Sequence, residues 1–390
     1  MSSILTAEQL SIRITEGETL YTEFKSAKVH TDALSATLVS FLNTDGGVLL
    51  IGVDDDGQIS GVDNPDAMRQ KIDQVLMNNI SPPAVVNIEN VPYQDKLILA
   101  VRVARGVDRP YQTQRGQCYI RVNAGKRLAS RLEIQRMFIN SGALHYDELS
   151  ITASSLKDVD SFSLDKFLRA GYRIEVDSLR RNEEYRLYLN NLKAMAEDEL
   201  TVAGALFFAS TPQYHLPTAK IEFASFEGNF AGNVILDRKT IEGRLPDQLE
   251  SILTVIGLHL KRNGTIRSYQ PEVMYEMPMT MVREVIINAL VHRDYSYSST
   301  IRVMLFDDRL EIHSPGRLPN GITIDNIRMG IHVERNPILT SFMGKLGLMT
   351  QIGTGIMRVL AEAKAAGLPE PKLEETDLEF VVTLYRATET

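Results

Sequence analysis

The chain has 390 residues, of which 44% are hydrophobic and 24% charged, and it carries a formal net charge of -8. That length asks for two or three domains, and that balance is one of a globular chain and not a disordered one. The apolar runs are too short to span a membrane, the single Cys118 offers neither a disulfide nor a zinc set, and the first ten residues lack a basic and apolar leader; a cytoplasmic setting without membrane contact is expected.

The first third reads as α/β. Residues 18–25 form a short alternating strand. Residues 31–43 follow as a helix with Leu34, Leu38, Phe41 and Leu42 at helical spacing, ended by Gly46 and Gly47. Residues 48–55 are a buried strand, and Asp56-Gly57 signals a hairpin turn. Asn64-Pro65 opens a second amphipathic helix that closes before Ser81-Pro82-Pro83. Three β-rich stretches follow at 84–93, 97–106 and 117–123, and residues 130–140 close the unit as a helix. A boundary is expected near Gly142, so that residues 1–142 form the first domain.

Residues 143–200 read as a helical connector, with helices expected in 165–172 and 183–198. Residues 201–390 form the last domain. It opens β-rich at 200–210 and 218–228. Two amphipathic helices follow, at 247–264 and 279–295. A hairpin turns at Asp307-Asp308, and a further helix lies at 356–367. The fold class is α/β (α+β).

The chemistry of the last domain lies on the helix around residue 284. Glu284, Asn288 and His292 are spaced by four, so they share one face beside the apolar 285–290 segment. Asn is suited to ligate a Mg²⁺ that bridges phosphates, and Glu to orient or deprotonate a water. The same stripe is also what a polar surface face looks like. Two glycine turns favour the first reading. Ser314-Pro315-Gly316 ends a strand, and Gly353-Thr354-Gly355 opens a helix whose amides are placed for phosphate. The motifs 287–296, 306–322, 335–339 and 353–356 resemble the GHKL ATPases, and within them the branch labelled as a RecG-like C-terminal domain. The resemblance implies a Bergerat-type α/β sandwich binding ATP and Mg²⁺. Glu284 would be catalytic and Asn288 the Mg²⁺ ligand. His292, Ser314, Gly316, Gly353, Thr354 and Gly355 would complete the nucleotide site. Ser314 stands where typical members put an adenine-binding aspartate. No G-x-x-x-x-G-K-[ST] loop occurs, so the motor of a helicase is missing from this sequence.

In the first domain, Glu18 and Glu23 bracket the first strand and Asp54 follows another. Converging carboxylates need a divalent cation, Mg²⁺ or Mn²⁺, and such a cluster serves phosphodiester cleavage; surface acids beside a turn would give the same spacing. Between Arg102 and Arg136 there are nine Lys/Arg residues against Asp108 and Glu133, a basic island in an acidic chain, or else an ordinary solvated face. The segments 23–25, 41–61, 109–113 and 119–125 resemble the Schlafen AlbA-like (AlbA_2) domain. The resemblance implies nucleic-acid binding and, in some relatives, RNA cleavage by a triad that would fall on Glu18, Glu23 and Asp54. Lys25, Arg121, Lys126, Arg127 and Arg131 would then meet DNA or RNA phosphates, and Tyr111 and Tyr119 would stack on bases.

The expected whole is a nucleic-acid-binding, ATP-binding regulator, a transcriptional regulator in type and a homo-oligomer by analogy with GHKL relatives. The alternative is an ATP-gated, metal-dependent nuclease of phage defence.

Overall fold

The computed structural model describes residues 5–174, 181–260, 262–263, 274–319, 321–349 and 353–387. The chain divides into two compact units, residues 1–144 and 145–390.

The first unit begins with α1 (Ala7–Glu16), capped by a reciprocal Thr6–Gln9 pair. Then come β1 (Thr22–Lys25), α2 (Thr31–Leu42), β2 (Gly47–Ile51) and α3 (Pro65–Gln74), which a π-turn extends to Asn79. The short β3 (Ile80–Ser81) leads to β4 (Asn87–Tyr93), β5 (Lys96–Val103) and β6 (Gln112–Thr113). The hairpin of β7 (Tyr119–Val122) and β8 (Gly125–Leu128) precedes α4 (Arg131–Asn140). The main sheet has the order β1-β2-β5-β4, with β1 parallel to β2 and the other pairs antiparallel. Strand alternation feeds a separate core on each face. Leu49, Ile51, Leu99 and Val101 pack with α2, whereas Phe24, Val48, Leu50, Ile98 and Ala100 pack with Leu10 of α1. Asn43, the C-cap of α2, ties that helix to the segment before β7: its amide donates to the carbonyls of Tyr111 (2.7 Å) and Tyr119 (3.0 Å).

The second unit contains α5 (Ser161–Tyr172), α6 (Arg181–Asn191), β9 (Met195–Ala196), β10 (Glu199–Leu200), α7 (Val202–Phe208) and α8 (Pro212–His215). Next are β11 (Ile221–Phe226), β12 (Ile235–Ile241), α9 (Leu245–His259), β13 (Arg262–Asn263), β14 (Met274–Tyr275) and α10 (Met279–His292). The chain ends with β15 (Ile301–Leu305), β16 (Arg309–Pro315), α11 (Ile324–Arg328), α12 (Pro337–Lys345), α13 (Gly355–Ala365), β17 (Lys372–Glu375) and β18 (Glu379–Tyr385). Six strands make a sheet of order β12-β11-β15-β16-β18-β17, parallel only between β11 and β15. One face packs on helices through Phe223, Val303, Ile312 and Leu384, giving a two-layer α/β sandwich. On β16 and β18 the other face carries charge: Glu379 pairs with Arg302 and His313, which also meets Glu311.

Three sequence expectations change here. Residues 200–210 hold the helix α7, not a strand. Thr201 caps it by accepting from Gly204 N at 3.1 Å, and every residue from Val202 to Phe208 is buried. An apolar run buried on all sides has no period to distinguish strand from helix. Residues 195–198, expected to end a helix, fall in the β9–β10 hairpin, with positive φ at Lys193 before it and at Glu197 in its turn. The stretch expected as a connector belongs to the body of the second unit. Phe167 of α5 packs edge-on against Phe208 and Phe342 at 5.1 and 5.2 Å between ring centres. The expected helix end at Gly264 lies outside the described residues. Among those described, no helix is long and apolar enough to cross a membrane.

Candidate functional site

In the second unit, α10 is buried along Val285, Ile286, Ile287, Ala289 and Leu290, and a polar stripe escapes that packing. Glu284, Asn288 and His292 make up the stripe, and all three line one cleft with Ser314, Gly316, Gly353 and Gly355. The contact that organises it is between α10 and the start of α13. A Cβ on Gly355 would overlap the Glu284 carboxylate and come within 3.4 Å of Asn288 Nδ2, so the two helices meet this closely only through a glycine. Gly353 has φ +72°, and a side chain there would run into the His332 ring. Thr354 between them is the N-cap of α13, without a side-chain cap hydrogen bond. Burial, with the charges of Arg335 and His332, pushes the His292 imidazole down to about 4, so it is neutral at pH 7. Ser314 Oγ donates to the Ala289 carbonyl at 3.2 Å, which leaves its lone pairs as the polar feature on that wall. Glu284 is ion-paired: its Oε2 accepts from Arg358 Nη2 at 2.9 Å.

In the first unit, the expected acidic triad is not assembled. Glu23 is 3% exposed and surrounded by cations: Arg121, Lys126 Nζ at 2.9 Å and Lys25 Nζ at 3.3 Å. Burial raises its carboxyl pKa, but the hydrogen bonds from Arg121 and Lys126 and the charges of Lys126 and Lys25 prevail and hold it down at about 2. Glu18 accepts from Phe24 N at 2.9 Å, and Asp54 accepts from Ser60 Oγ at 3.1 Å. The ammonium of Lys25 occupies the space between acids, 3.8 Å from Glu18, 3.3 Å from Glu23 and 3.4 Å from Asp55. A lysine therefore supplies the positive charge that the sequence reading assigned to a metal. Among the described residues, no group of three His, Cys, Asp or Glu side chains is placed to hold a metal ion.

The basic island is likewise divided. The Arg121 side chain is 0% exposed and donates inward, to Glu23 and to the carbonyls of Leu20 (3.0 Å) and Thr19 (2.5 Å), so it cannot reach a phosphate. Tyr111 is buried and cannot stack on a base. Tyr119 is partly buried, with its hydroxyl donating to Gln117 at 3.1 Å. Arg127 makes two hydrogen bonds to Glu133, 2.9 and 2.8 Å, yet stays half exposed. Lys126 is partly exposed and Arg131 exposed.

Comparison with known proteins fits this division. The family described as "Schlafen, AlbA_2" matches residues 18–130, and "Putative ATP-dependent DNA helicase recG C-terminal" matches residues 298–384. One stretch of the chain thus matches an AlbA_2 domain and a later one a recG C-terminal-type domain. These two domain types mark a nucleic-acid-related, ATPase-type protein. A crystal structure of the DIP2311 protein from Corynebacterium diphtheriae is similar in fold, with 24% identity and a TM-score of 0.50 over 94% of this chain and 75% of that one. The N-terminal domain of a RecG-related protein from Nitrosomonas europaea matches 33% of this chain and 94% of its own, at 20% identity and a TM-score of 0.27. No curated protein matches the chain.

The AlbA_2 match contains Glu18, Glu23, Lys25, Asp54, Arg121, Lys126 and Arg127, and Arg131 falls one residue beyond it. The recG-type match contains Ser314, Gly316 and the 353–355 turn, while α10 with Glu284 and Asn288 precedes it. Two residues at the recG-type pocket were missed by the sequence reading. Arg335, buried on the pocket wall, donates to the carbonyls of His292 (2.9 Å) and Arg317. Arg358 meets Glu284. Arg335 sits in a stretch quoted above for its likeness, and Arg358 sits one turn after Gly355, where helical spacing alone would have placed it beside the site.

Proposed function

We propose that this fusion is a nucleic-acid-binding regulatory protein, of the transcriptional-regulator type, in which ATP with Mg²⁺ in the recG-type domain controls the AlbA_2 domain. The observation that carries it is the meeting of Glu284, Asn288 and Gly355 in one cleft. The missing Cβ at Gly355 lets the Glu284 carboxylate and Asn288 come up to the N-terminus of α13, where backbone amides without intrahelical acceptors are placed for a phosphate. Asn288 would hold Mg²⁺ through its amide oxygen, and the ion would supply charge neutralisation for the phosphates. Glu284 is placed beside it to orient or deprotonate a water. Ser314 offers a purine amino group a neutral acceptor, weaker than the carboxylate of typical GHKL sites. On the AlbA_2 domain, Arg127, Arg131 and Lys126 remain accessible to phosphates. The nuclease reading ranks second, because Glu23 and Lys25 already neutralise one another at the spot where it needs a divalent cation.

The test uses the full chain. Calorimetry with ATP and Mg²⁺ should show binding that Asn288→Ala removes, and Glu284→Ala should keep binding while losing hydrolysis. Labelled tRNA, single-stranded DNA and duplex DNA, run with and without ATP and Mn²⁺, should show binding that ATP changes and no cleavage. An unchanged titration for Asn288→Ala would sink the nucleotide assignment. Metal-dependent cleavage would put the nuclease reading first.

A further inference from the structure

Glu284 is the wall between two clefts. One is the pocket described above; the other is more polar, lined among others by Thr280, Arg283, Arg358 and Glu362. We propose that Arg358 reads the terminal phosphate of the bound nucleotide, and that it does so by giving up its ion pair with Glu284. The inference rests on the nucleotide reading and adds to it a residue that tells triphosphate from diphosphate.

The geometry brings both groups to one place. Arg358 lies in the first turn of α13, and helical side chains lean toward the helix N-terminus. Its guanidinium reaches Glu284 Oε2 at 2.9 Å, while the other oxygen of that carboxylate lies against Gly355. Glu284 is thus engaged from two sides where a phosphate chain passing Asn288 and the start of α13 would end. In this state the carboxylate repels an incoming phosphate, and the oxygen held by Arg358 is not available to a water. An ion pair with Arg358 46% exposed is weak. A phosphate is a better partner for a guanidinium than one carboxylate oxygen, since it offers two acceptors and more charge. Triphosphate entry would therefore move Arg358 from Glu284 to the terminal phosphate and release Glu284. In the hydrolysis that follows, the water oxygen bonds to the terminal phosphorus, its proton passes to Glu284, and the bond from phosphorus to the bridging oxygen of ADP breaks. A diphosphate, too short to reach Arg358, would leave the Glu284 pair closed.

The test is calorimetric titration of the full chain with a non-hydrolysable ATP analogue and with ADP, each with Mg²⁺. Wild type should bind the triphosphate analogue more tightly than ADP. Arg358→Ala should weaken the analogue by about tenfold or more, the loss of one charge-assisted contact, with ADP changed by less than about threefold. Arg358→Lys should recover part of the loss, and Glu284→Gln should bind the analogue more tightly than wild type. A purely structural Arg358 would weaken both nucleotides alike and lower the melting temperature without nucleotide; that result, or an unchanged preference, overturns the proposal and leaves the nucleotide pocket standing. Failure of the wild-type protein to bind either nucleotide removes the pocket reading, and this proposal with it.

Discussion

Replacing Glu23 by alanine should destabilise the first unit by about 3 kcal/mol. The structure supplies the magnitude twice. The Glu23 carboxyl is held at about 2 against an ordinary 4.5 and is almost fully buried. At about 1.4 kcal/mol per unit, that difference is worth about 3 kcal/mol at neutral pH. Independently, truncating one partner of a buried pair costs about 3–5 kcal/mol because the other charge is stranded. Here the stranded group is Arg121, with no exposed side-chain surface. The lower figure is the better expectation, since Arg121 keeps the carbonyls of Leu20, Thr19 and Ala124. The pH dependence follows from the sign of the shift. A carboxyl depressed in the folded state contributes its full stabilisation above about 4.5 and loses it as pH falls through about 2. Wild type should lose that increment across this window, and Glu23→Ala should lack it. The chain has no tryptophan, so the assay is urea unfolding followed by circular dichroism, with hydrogen exchange assigning the transition to residues 5–144. With a slope of about 1–3 kcal/mol per molar, the midpoint should fall by about 1 M or more. A shift below about 1 kcal/mol, or a mutant with the wild-type acid profile, would refute the view that Glu23 anchors Arg121 and the β7–β8 hairpin.

Two further substitutions probe the second unit. Gly355→Ala should abolish Mg²⁺-dependent ATP binding as measured by calorimetry, because its methyl group would occupy the place of the Glu284 carboxylate; wild-type affinity would show that α10 and α13 do not meet as described. Asp147 is fully buried and its carboxyl is raised to about 6, since burial outweighs the amides of Leu339 and Ile338 that it accepts from. A raised acid costs stability as pH climbs through about 6, here up to about 3 kcal/mol. Asp147→Asn keeps an acceptor for those amides, so by calorimetric melting it should be more stable than wild type at pH 8 and no more stable near pH 4. The opposite trend would exclude an ionisation cost at this position.

The sequence by itself determined what is local. Helical spacing placed Glu284, Asn288 and His292 on one stripe, alternation marked the first strand within 18–25, and the glycines of 353–355 marked the entry to α13. Those patterns are set by 3.6-residue and 2-residue periods and by the steric freedom of a missing Cβ, which any stretch of chain expresses on its own. Two kinds of feature were decided only by tertiary structure. Where burial is complete, as in α7, the period vanishes and the packed neighbours choose helix over strand. Where charge is concerned, the sequence lists Glu18, Glu23, Asp54, Lys25 and Arg121 but not which of them meet. A carboxylate becomes a metal ligand or an ion-pair anchor according to what stands within about 4 Å of it. Folding put Lys25 among Glu18, Glu23 and Asp55, buried Arg121 against Glu23, and turned Arg358 onto Glu284. Residues up to 98 positions apart in the chain make those contacts, and no local pattern carries that information.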